Sequence, residues 1–273
     1  MDTDCLNYCL TEKEHQDFQK NGILLVENAI SPQMVENLTS VVDRLDSQIR
    51  DEKKLDSQDR LQQTDSVGMD GLFLDLLDWK KTFPKVWGIL GLNIRLYYSA
   101  MTVTPPLSTD TKVGSRLNWH QDSSELNKDL ESNPRPRISL KVAFFLTDTI
   151  ELSQGNFYMI PGSHLQNELV LPSDGISEPE GATAIRAKSG TAMIFDRRLW
   201  HSGSPNTSSI TRKVLFYGYS YKWLHPRDGM TVSHFIDKCD PIRQQLLGAE
   251  KGWDASALRV WLEEHGEKDG KVD

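Results

Sequence analysis

The chain of 273 residues is poor in cysteine, in positive charge and in long apolar runs. Its three cysteines, Cys5, Cys9 and Cys239, are an odd number, which argues against the disulfide framework of a small secreted domain. No second Cys/His pair follows Cys5 and Cys9 closely, so a structural zinc site is not expected. The formal net charge of −8 gives no electrostatic reason to expect nucleic acid or an anionic membrane as a partner.

Targeting and membrane signals are also missing from the sequence. The first residues, MDTDCLNYCL, are acidic and lack the basic and apolar regions of a signal peptide. No run approaches the ~18 apolar residues of a membrane span, and the last residues, KDGKVD, match neither a prenylation nor a peroxisomal signal. We therefore expect a soluble cytoplasmic protein, and its hydrophobic content of 38% is enough for a substantial core.

Capping signals and helical periodicity predict a helical N-terminal region. Residues 11–22 begin with a capping box and end at a glycine, and residues 31–50 begin with Ser-Pro and continue with a regular apolar face. The eight residues between these helices, ILLVENAI, are typical of a strand. Residues 50–70 are polar and are predicted to be irregular, and residues 72–91 are predicted to form two short helices broken at Pro84.

From residue 93 onward, β-branched and aromatic residues alternate with Gly, Pro and Ser clusters. This pattern predicts strands at 93–104, 138–148, 155–160, 190–195 and 213–221. Helical patterns return after Asp240. We therefore predict one domain over 1–273, with a mainly β core at about 11–225 and a helical C-terminal extension at about 226–273.

The segment NWHQDSSE contains a candidate pair of metal ligands. His120 and Asp122 are two positions apart, so in an extended chain their side chains point to the same side. Two residues that merely share a solvated loop have the same spacing. His201 follows a predicted strand and can supply a third ligand. Two histidines and a carboxylate form the facial triad of non-haem Fe(II) oxygenases, although zinc hydrolases use the same set.

Arg212, eleven residues after His201, distinguishes the two chemistries. A keto-acid co-substrate that chelates a metal leaves its distal carboxylate inside the protein, and burying that charge requires a partner. Arginine offers a permanently charged, bidentate one. A surface salt bridge at the start of a strand is the alternative role for this residue.

Four segments together resemble the phytanoyl-CoA dioxygenase family of Fe(II)/2-oxoglutarate-dependent oxygenases. They occur in the family's order: FQKNGILLVENAISPQMVENL, WHQD, GNFYMIPGSH and HSGSPNTSSITRK. The resemblance covers roughly residues 11–225. It implies a double-stranded β-helix, or jelly-roll, core with flanking N- and C-terminal helices. It also implies a dioxygenase that oxidises a C–H bond of a small organic substrate with O₂ and 2-oxoglutarate and releases succinate and CO₂.

The same resemblance assigns roles to individual residues. His120, Asp122 and His201 match the positions that bind Fe(II), and Arg212 matches the position that holds the C5 carboxylate of 2-oxoglutarate. Related halogenases have a small residue in place of the carboxylate ligand, so Asp122 favours hydroxylation or another oxidation over halogenation.

Further co-substrate contacts follow from the resemblance alone. Thr102 matches a position that lines the 2-oxoglutarate pocket, and Phe144 stands where some members have a tryptophan near the co-substrate. Ser202 or Ser204 can add a hydroxyl to the C5 carboxylate. Gly203 occupies the position at which some relatives carry that serine, which weakens the serine assignment.

Two other functions remain possible at this point: a cupin-type metal enzyme that does not use 2-oxoglutarate, and a non-catalytic jelly-roll that binds a metal or ligand. The sequence does not specify the substrate, the oligomeric state or the role of Gln121. His164, in the IPGSH turn, is expected to be structural, because a fourth protein ligand would close a position that the chemistry needs. Residues 123–137 are too long for a hairpin loop and are a candidate lid. Contact with an anionic substrate is one role open to Arg135 and Arg137, but they are expected on a solvated face.

Overall fold

The computed structural model describes residues 1–107, 116–249 and 256–266 of the chain. Within these residues the strands are β1 (Ile23–Val26), β2 (Leu61–Thr64), β3 (Ile94–Thr104), β4 (Ser139–Phe145), β5 (Phe157–Met159), β6 (Thr183–Ala184), β7 (Ala192–Asp196), β8 (His201–Gly203) and β9 (Arg212–Tyr221). The α-helices are α1 (Glu12–Asn21), α2 (Pro32–Lys53), α3 (Gly71–Asp75), α4 (Phe83–Leu90), α5 (Ser124–Asp129), α6 (Ser233–Ile236), α7 (Pro241–Leu247) and α8 (Ala257–His265). Over these ranges, none of the helices has the length and apolar character needed to cross a membrane.

The two N-terminal helices begin where their capping residues predict. The Thr11 hydroxyl accepts a hydrogen bond from the Glu14 amide, and the Glu14 carboxylate accepts one from the Thr11 amide at 2.9 Å, which completes the capping box. Gly22 ends α1 with a φ of 75°, a left-handed conformation that favours glycine. Ser31 caps α2, which continues to Lys53. The sequence-based prediction of these helices is confirmed.

Two antiparallel sheets form the centre of the molecule. The large sheet has the strand order β1-β7-β4-β9-β3-β2, and the small sheet has the order β6-β5-β8. The sheets pack face to face, because Phe157 and Met159 of the small sheet share an apolar cluster with Phe145, Met193 and Phe195 of the large one. A sheet-rich core with helices before and after it is therefore confirmed.

The central strands of the large sheet separate a helix-covered outer face from an inner face. In β4, Val142 and Phe144 belong to the core beneath the helices, whereas Ala143 and Phe145 pack towards the small sheet. The ring of Phe144 is fully buried and stands edge-on to Tyr217 at 5.8 Å. The prediction that Phe144 lines the co-substrate pocket is therefore wrong, because alternate residues of a strand point to opposite faces and its neighbours take the inner one.

Hydrogen bonds from three buried side chains attach helices to the outer face. The hydroxyls of Tyr217 and Tyr219 donate to the carbonyls of Phe73 and Leu77, each at 2.6 Å. The Gln245 amide in α7 donates to the carbonyl of the first residue of β3 at 3.0 Å. These bonds satisfy polar groups that burial would otherwise leave unpaired, and they fix α3 and α7 relative to the sheet.

Three predicted element boundaries are wrong. Residues 50–70 are not irregular throughout, because α2 continues to Lys53 and residues 61–64 form the edge strand β2, paired with β3. Pro84 lies in the first turn of α4 and does not break a helix, since proline is tolerated where the backbone N–H has no intrahelical partner. The strand predicted over ILLVENAI ends at Val26.

Because Phe144 packs against the helices, its truncation should affect stability and leave the cavity unchanged. We expect Phe144→Leu to lower the free energy of unfolding by about 1–2 kcal/mol, measured by urea denaturation, while the affinity for 2-oxoglutarate changes less than about twofold. Leu152→Ala, at a side chain that is 50% exposed, is the control and should stay within about 0.5 kcal/mol. A large loss of 2-oxoglutarate affinity in folded Phe144→Leu would contradict this placement.

Candidate metal and co-substrate site

The three predicted metal ligands converge between the two sheets. His120 forms an isolated antiparallel bridge with His201, the first residue of β8, in which each amide donates to the other carbonyl at 3.0 Å. The Asp122 amide donates to the Arg197 carbonyl at 2.9 Å, in the turn after β7. As a result, one ligand-type atom from each of His120, Asp122 and His201 lies within 4.8 Å of the other two.

In both imidazole rings, one nitrogen is left free to bind a metal at the place where the three residues meet. The Nδ1 atom of His120 lies 3.0 Å from the Asn118 carbonyl, and that of His201 lies 2.7 Å from the Leu199 carbonyl. A carbonyl can only accept a hydrogen bond, so Nδ1 carries the proton and the lone pair of the neutral ring is on Nε2. Burial lowers the pKa of His201 to about 4, so this ring is neutral at pH 7.

Asp122 is held by a lysine that the sequence analysis missed. The Lys141 ammonium donates to Oδ1 of Asp122 at 2.7 Å, and both residues are buried. Burial alone would raise the pKa of Asp122, but the positive charge of Lys141, followed by that of His201, lowers it to about 2. Lys141 is the one charged residue of the apolar strand segment SLKVAFF, which is the signal that could have revealed it.

The second carboxylate oxygen of Asp122 has no partner within the described ranges. Oδ2 is buried and accepts no hydrogen bond there, which is costly for an ionised group unless a ligand binds it. Together with the two Nε2 atoms it provides two neutral nitrogens and one anionic oxygen. This donor set fits a divalent iron ion with open coordination positions.

Arg212 and Thr102 form a second polar group on the inner face. Arg212 begins β9 and pairs with Thr104 of β3, so Arg212, Thr104 and Thr102 share one face of the sheet. Arg212 is 7% exposed, and its Nε and the Thr102 hydroxyl have no hydrogen-bond partner in the part of the chain that is described. Burial, followed by the charge of Arg60, lowers the pKa of Arg212 to about 10, so the guanidinium stays charged at neutral pH.

A cavity of about 640 Å³ connects these groups. This volume lies within the ~300–1,000 Å³ range of small-molecule sites and leaves room for a co-substrate together with a small substrate. Polar lining residues include Thr102, Arg212 and the three candidate ligands, and apolar lining residues include Phe157, Phe195 and Phe216. The ring of Phe157 stacks on His201 with centroids 5.1 Å apart and fixes the orientation of that imidazole.

A comparison with family models identifies the family of the chain. The model described as "Phytanoyl-CoA dioxygenase (PhyH)" matches residues 18–214, which include all three candidate ligands and Arg212. The chain belongs to the phytanoyl-CoA dioxygenase family. It is a non-haem Fe(II)- and 2-oxoglutarate-dependent dioxygenase, and the activity that the resemblance implied is confirmed.

Individual relatives of the chain are distant in sequence. An "Ectoine dioxygenase" of Nocardia farcinica is 22% identical over 229 residues, which cover 73% of this chain and 74% of the relative. A "Probable alpha-ketoglutarate-dependent hypophosphite dioxygenase" of Stutzerimonas stutzeri is 26% identical over 171 residues, 55% of this chain and 54% of the relative.

Solved structures share the fold. HygX from Streptomyces hygroscopicus, with nickel and 2-oxoglutarate bound, has a TM-score of 0.62 and 16% identity and covers 80% of this chain and 89% of its own. EctD from S. alaskensis with bound Fe has a TM-score of 0.61 and 18% identity, with 82% of this chain and 83% of its own covered. At these identities the likeness establishes the fold.

Neither predicted serine contacts the cavity in this phytanoyl-CoA dioxygenase family member. Ser202 pairs with Tyr158 on the far side of the small sheet, because its strand neighbours His201 and Gly203 point inward. Among the described residues, its hydroxyl and that of Ser204 approach only backbone carbonyls, at 3.5 and 3.4 Å. Both assignments are therefore wrong, and Gly203 occupies the cavity-lining position without offering a hydroxyl.

The segment 123–137 is anchored by arginines. Arg197, which is fully buried, donates to the side chain of Asn127 at 2.5 Å, and Arg135 donates to the Asn127 carbonyl at 3.0 Å. Arg137 forms an ion pair of 2.7 Å with the buried Asp196. The expectation that Arg135 and Arg137 lie on a solvated face is wrong, because both tie this segment to the sheet.

Gln121 supports the ligand segment from the side opposite the two ligands. Its amide donates to the carbonyls of Arg198 at 2.5 Å and Gln166 at 2.9 Å, and its oxygen accepts from Arg135 at 3.3 Å. This placement agrees with the expected alternation of side chains. The residue that the sequence left unassigned therefore fixes the backbone between His120 and Asp122.

His164 is structural, as predicted. Its Nε2 atom lies 3.1 Å from the Gln19 carbonyl of α1, and its ring packs against Gly22. A Cβ at Gly22 would lie 2.5 Å from His164 Nδ1, and Gly22 has a positive φ, so glycine is required there on both counts. The IPGSH turn therefore joins the first helix to the sheet.

The buried neutral His201 should make the stability of the metal-free protein depend on pH. Unfolded histidine takes up a proton below its ordinary pKa of 6.5, whereas folded His201 does so only near pH 4. The folded state is therefore favoured above pH 6.5 and loses about 2–3 kcal/mol of this contribution as the pH falls to 4. In urea denaturation at several pH values, His201→Gln should remove this part of the dependence. His265→Gln, at an exposed histidine, should keep it.

Removing Lys141 should leave Asp122 buried without a partner. We expect Lys141→Met to lower the free energy of unfolding of the metal-free protein at pH 7 by about 3–5 kcal/mol. The double variant Lys141→Met/Asp122→Asn removes both charges and should recover most of that loss. Equal destabilisation of the single and double variants in urea denaturation would contradict a charge-pair role for Lys141.

Proposed function

We propose that His120, Asp122 and His201 bind Fe(II) and that Arg212 and Thr102 bind the C5 carboxylate of 2-oxoglutarate. The observation that supports this most directly is the set of unsatisfied groups on the inner face. Asp122 Oδ2, Arg212 Nε and the Thr102 hydroxyl are buried and unpaired in the described part of the chain. Buried polar groups in native proteins normally have partners, and iron and a dicarboxylate would supply them.

Each protein group then has a distinct part in the reaction. Iron and 2-oxoglutarate, when bound, supply the oxidative decarboxylation that activates O₂ and leaves succinate and CO₂. Lys141 occupies Oδ1 of Asp122 and leaves Oδ2 for the metal. The backbone carbonyls of Asn118 and Leu199 hold the two imidazoles in the tautomer that turns Nε2 towards it.

Arg212 positions the co-substrate through its charge and shape. Its planar guanidinium can donate two parallel hydrogen bonds to a carboxylate, and its burial strengthens that pairing. The aromatic rings of Phe157, Phe195 and Phe216 form an apolar wall that keeps water from the reacting atoms.

The proposed reaction is hydroxylation, or another oxidation, at a C–H bond of a small molecule. The carboxylate of Asp122 occupies the position that must be vacant for a halide to bind, so halogenation is not proposed. The names of two relatives include ectoine and hypophosphite as what they act on. Small substrates of this kind fit the volume of the cavity, and neither nucleic acid nor a membrane is proposed as a partner of a chain with a net charge of −8.

We also infer that the two facing sheets form the double-stranded β-helix, or jelly-roll, of Fe(II)/2-oxoglutarate oxygenases. The strand orders and the likeness to HygX and EctD support this. Apolar residues of α7 and α8 belong to the same core cluster as the sheet, which supports a single domain over the whole chain. A cytoplasmic location is proposed from the absence of sequence signals.

The co-substrate assignment predicts a large effect at one arginine. Arg212→Gln should weaken 2-oxoglutarate binding at least about 100-fold, because truncating one partner of a buried charge pair costs roughly 2–5 kcal/mol. Arg212→Lys keeps the positive charge but cannot donate two parallel hydrogen bonds. Its affinity for 2-oxoglutarate should therefore lie between those of Arg212→Gln and the wild type. Binding is measured by calorimetry on iron-loaded protein without oxygen. Arg186→Gln, at an exposed arginine away from the cavity, should bind 2-oxoglutarate normally.

The same preparations, exposed to oxygen, test the activity through succinate formation. Wild type should form succinate from 2-oxoglutarate, and Arg212→Gln should form it only at much higher co-substrate concentration. Unchanged 2-oxoglutarate affinity in Arg212→Gln would overturn the clamp assignment. Oxidation of a substrate without 2-oxoglutarate would favour a cupin-type enzyme, and bound iron without any turnover would favour a binding protein.

A further inference from the structure

A second group of cations lines the cavity around Tyr98. We call it the tyrosine end and define it by Tyr98, Lys141 and Arg227, which all line the cavity. Arg212 pairs with Thr104, and Tyr98 lies six residues before Thr104 in β3. At about 3.3 Å per strand residue, the Cα atoms of Tyr98 and Thr104 are roughly 20 Å apart. Tyr98 and Arg212 therefore belong to different parts of the cavity wall.

Tyr98 positions both cations through its ring. The Lys141 ammonium lies 4.8 Å and the Arg227 guanidinium 5.1 Å from the ring centroid, and both distances are typical of cation–π contacts. The Tyr98 hydroxyl accepts a hydrogen bond from Gln62 at 2.9 Å, which fixes the ring. The backbone amide of Arg227 donates to the Tyr97 carbonyl at 2.7 Å. Arg227 is therefore held in the cavity wall by two contacts, one through its guanidinium and one through its backbone amide.

A glycine makes this arrangement possible. Gly218 lies between Tyr98 and Lys141 in the large sheet and pairs with both. A Cβ there would lie 2.8 Å from a ring carbon of Tyr97 and 3.1 Å from Cβ of Tyr98. Because no side chain separates the two strands at this point, the Lys141 stem crosses Gly218 towards the tyrosine ring.

The two cations at the tyrosine end differ in whether a carboxylate of the described residues neutralises them. Lys141 is neutralised by Asp122. Arg227 forms no salt bridge with any carboxylate of residues 1–107, 116–249 or 256–266. Its chain neighbour Asp228 is bonded to the amide and the hydroxyl of Ser99, and Glu125, across the cavity, pairs with Lys128 at 2.8 Å. Arg227 is an exposed residue that lines the cavity, so its charge is available to a ligand and has no carboxylate partner in the described structure.

Another residue that lines the cavity has a free hydroxyl. Ser123 follows Asp122 with a φ of 62°, lines the cavity, and has a buried hydroxyl with no hydrogen-bond partner among the described residues. Such a left-handed conformation is uncommon for a residue with a side chain and is often associated with functional sites. The cavity wall therefore offers a hydrogen-bonding group that a substrate can satisfy.

We propose that the substrate carries an anionic group, a carboxylate or another oxyanion, that binds Arg227 over the Tyr98 ring, with Ser123 donating a hydrogen bond to its polar body. The proposal rests on the function proposed above and adds the substrate class. Arginine suits this role because its fork matches planar oxyanions and stays charged at all working pH values. The overall charge of −8 makes a positive cavity mouth a local feature of this site.

Matched probes that differ only in charge test the substrate class. Each set has one skeleton as acid, amide and amine: hexanoate, hexanamide and hexylamine, and phenylacetate, phenylacetamide and phenethylamine. Binding to iron-loaded protein with saturating 2-oxoglutarate is measured by calorimetry without oxygen. For at least one skeleton, the acid should bind at least about tenfold tighter than its amide and its amine.

Variants of Arg227 test whether this residue causes the preference for the acid. Arg227→Gln should weaken acid binding at least about tenfold and amide binding less than twofold, and Arg227→Lys should keep most of the preference. Arg186→Gln, at an exposed arginine outside the cavity, should bind like wild type. The proposal is overturned if no acid binds, if amides or amines bind as tightly as acids, or if Arg227→Gln weakens acid and amide equally.

The affinity for 2-oxoglutarate separates this proposal from the one on which it rests. Arg227→Gln should bind 2-oxoglutarate as wild type does, because Arg227 contacts Tyr98, six residues along β3 from the strand partner of Arg212. A parallel loss of 2-oxoglutarate affinity would assign Arg227 to the co-substrate and overturn the anion subsite. Normal 2-oxoglutarate binding in Arg212→Gln would overturn the assignment of Arg212 to the co-substrate. The preference for acids and its dependence on Arg227 would still be tested independently.

Discussion

The alternation of side chains along the central strands is the constraint on which the rest of the structure depends. Each residue of β4 or β9 faces either the helices or the cavity, and its neighbour faces the other way. The apolar residues Leu140 and Val142 therefore build the core while Lys141, between them, reaches the active site. The same rule turns Gly203 towards the cavity and Ser202 away from it. A one-residue shift in register would exchange core and cavity residues along the whole strand.

The inner face concentrates charges that have to be balanced. Asp122 is buried against Lys141, which stabilises the carboxylate in the absence of metal and leaves one oxygen for a ligand. Arg212 is buried without a carboxylate partner in the described chain, and the 2-oxoglutarate proposed above would balance its charge. Backbone carbonyls and side chains such as Gln121 surround these groups and hold the segment of His120 and Asp122 in place. Several of the groups that prepare the site, such as these backbone carbonyls, are thus not themselves candidate ligands.

Sequence patterns predicted the candidate ligands and the β core but not the residues, such as Lys141, that contact those candidates. His120, Asp122, His201 and Arg212 were recognisable because their residue types and spacing are tied to one chemistry. Phe144 was misassigned because its position in a motif does not reveal which face of the strand it occupies. Lys141 was missed because its partner lies nineteen residues away in the sequence and meets it only through the pairing of strands.

The amino-acid sequence by itself determined the longer helices and strands, the family, the activity, and the four residues that the proposed chemistry requires. These are local or motif-level properties, set by side-chain chemistry and short-range periodicity. The tertiary structure alone decided which neighbours share a face, that Gly218 lets Lys141 lie over Tyr98, and that Arg227 reaches the cavity from beyond the last strand. Such contacts join residues far apart in the chain, so their energies depend on strand register and on distances that a linear pattern does not contain.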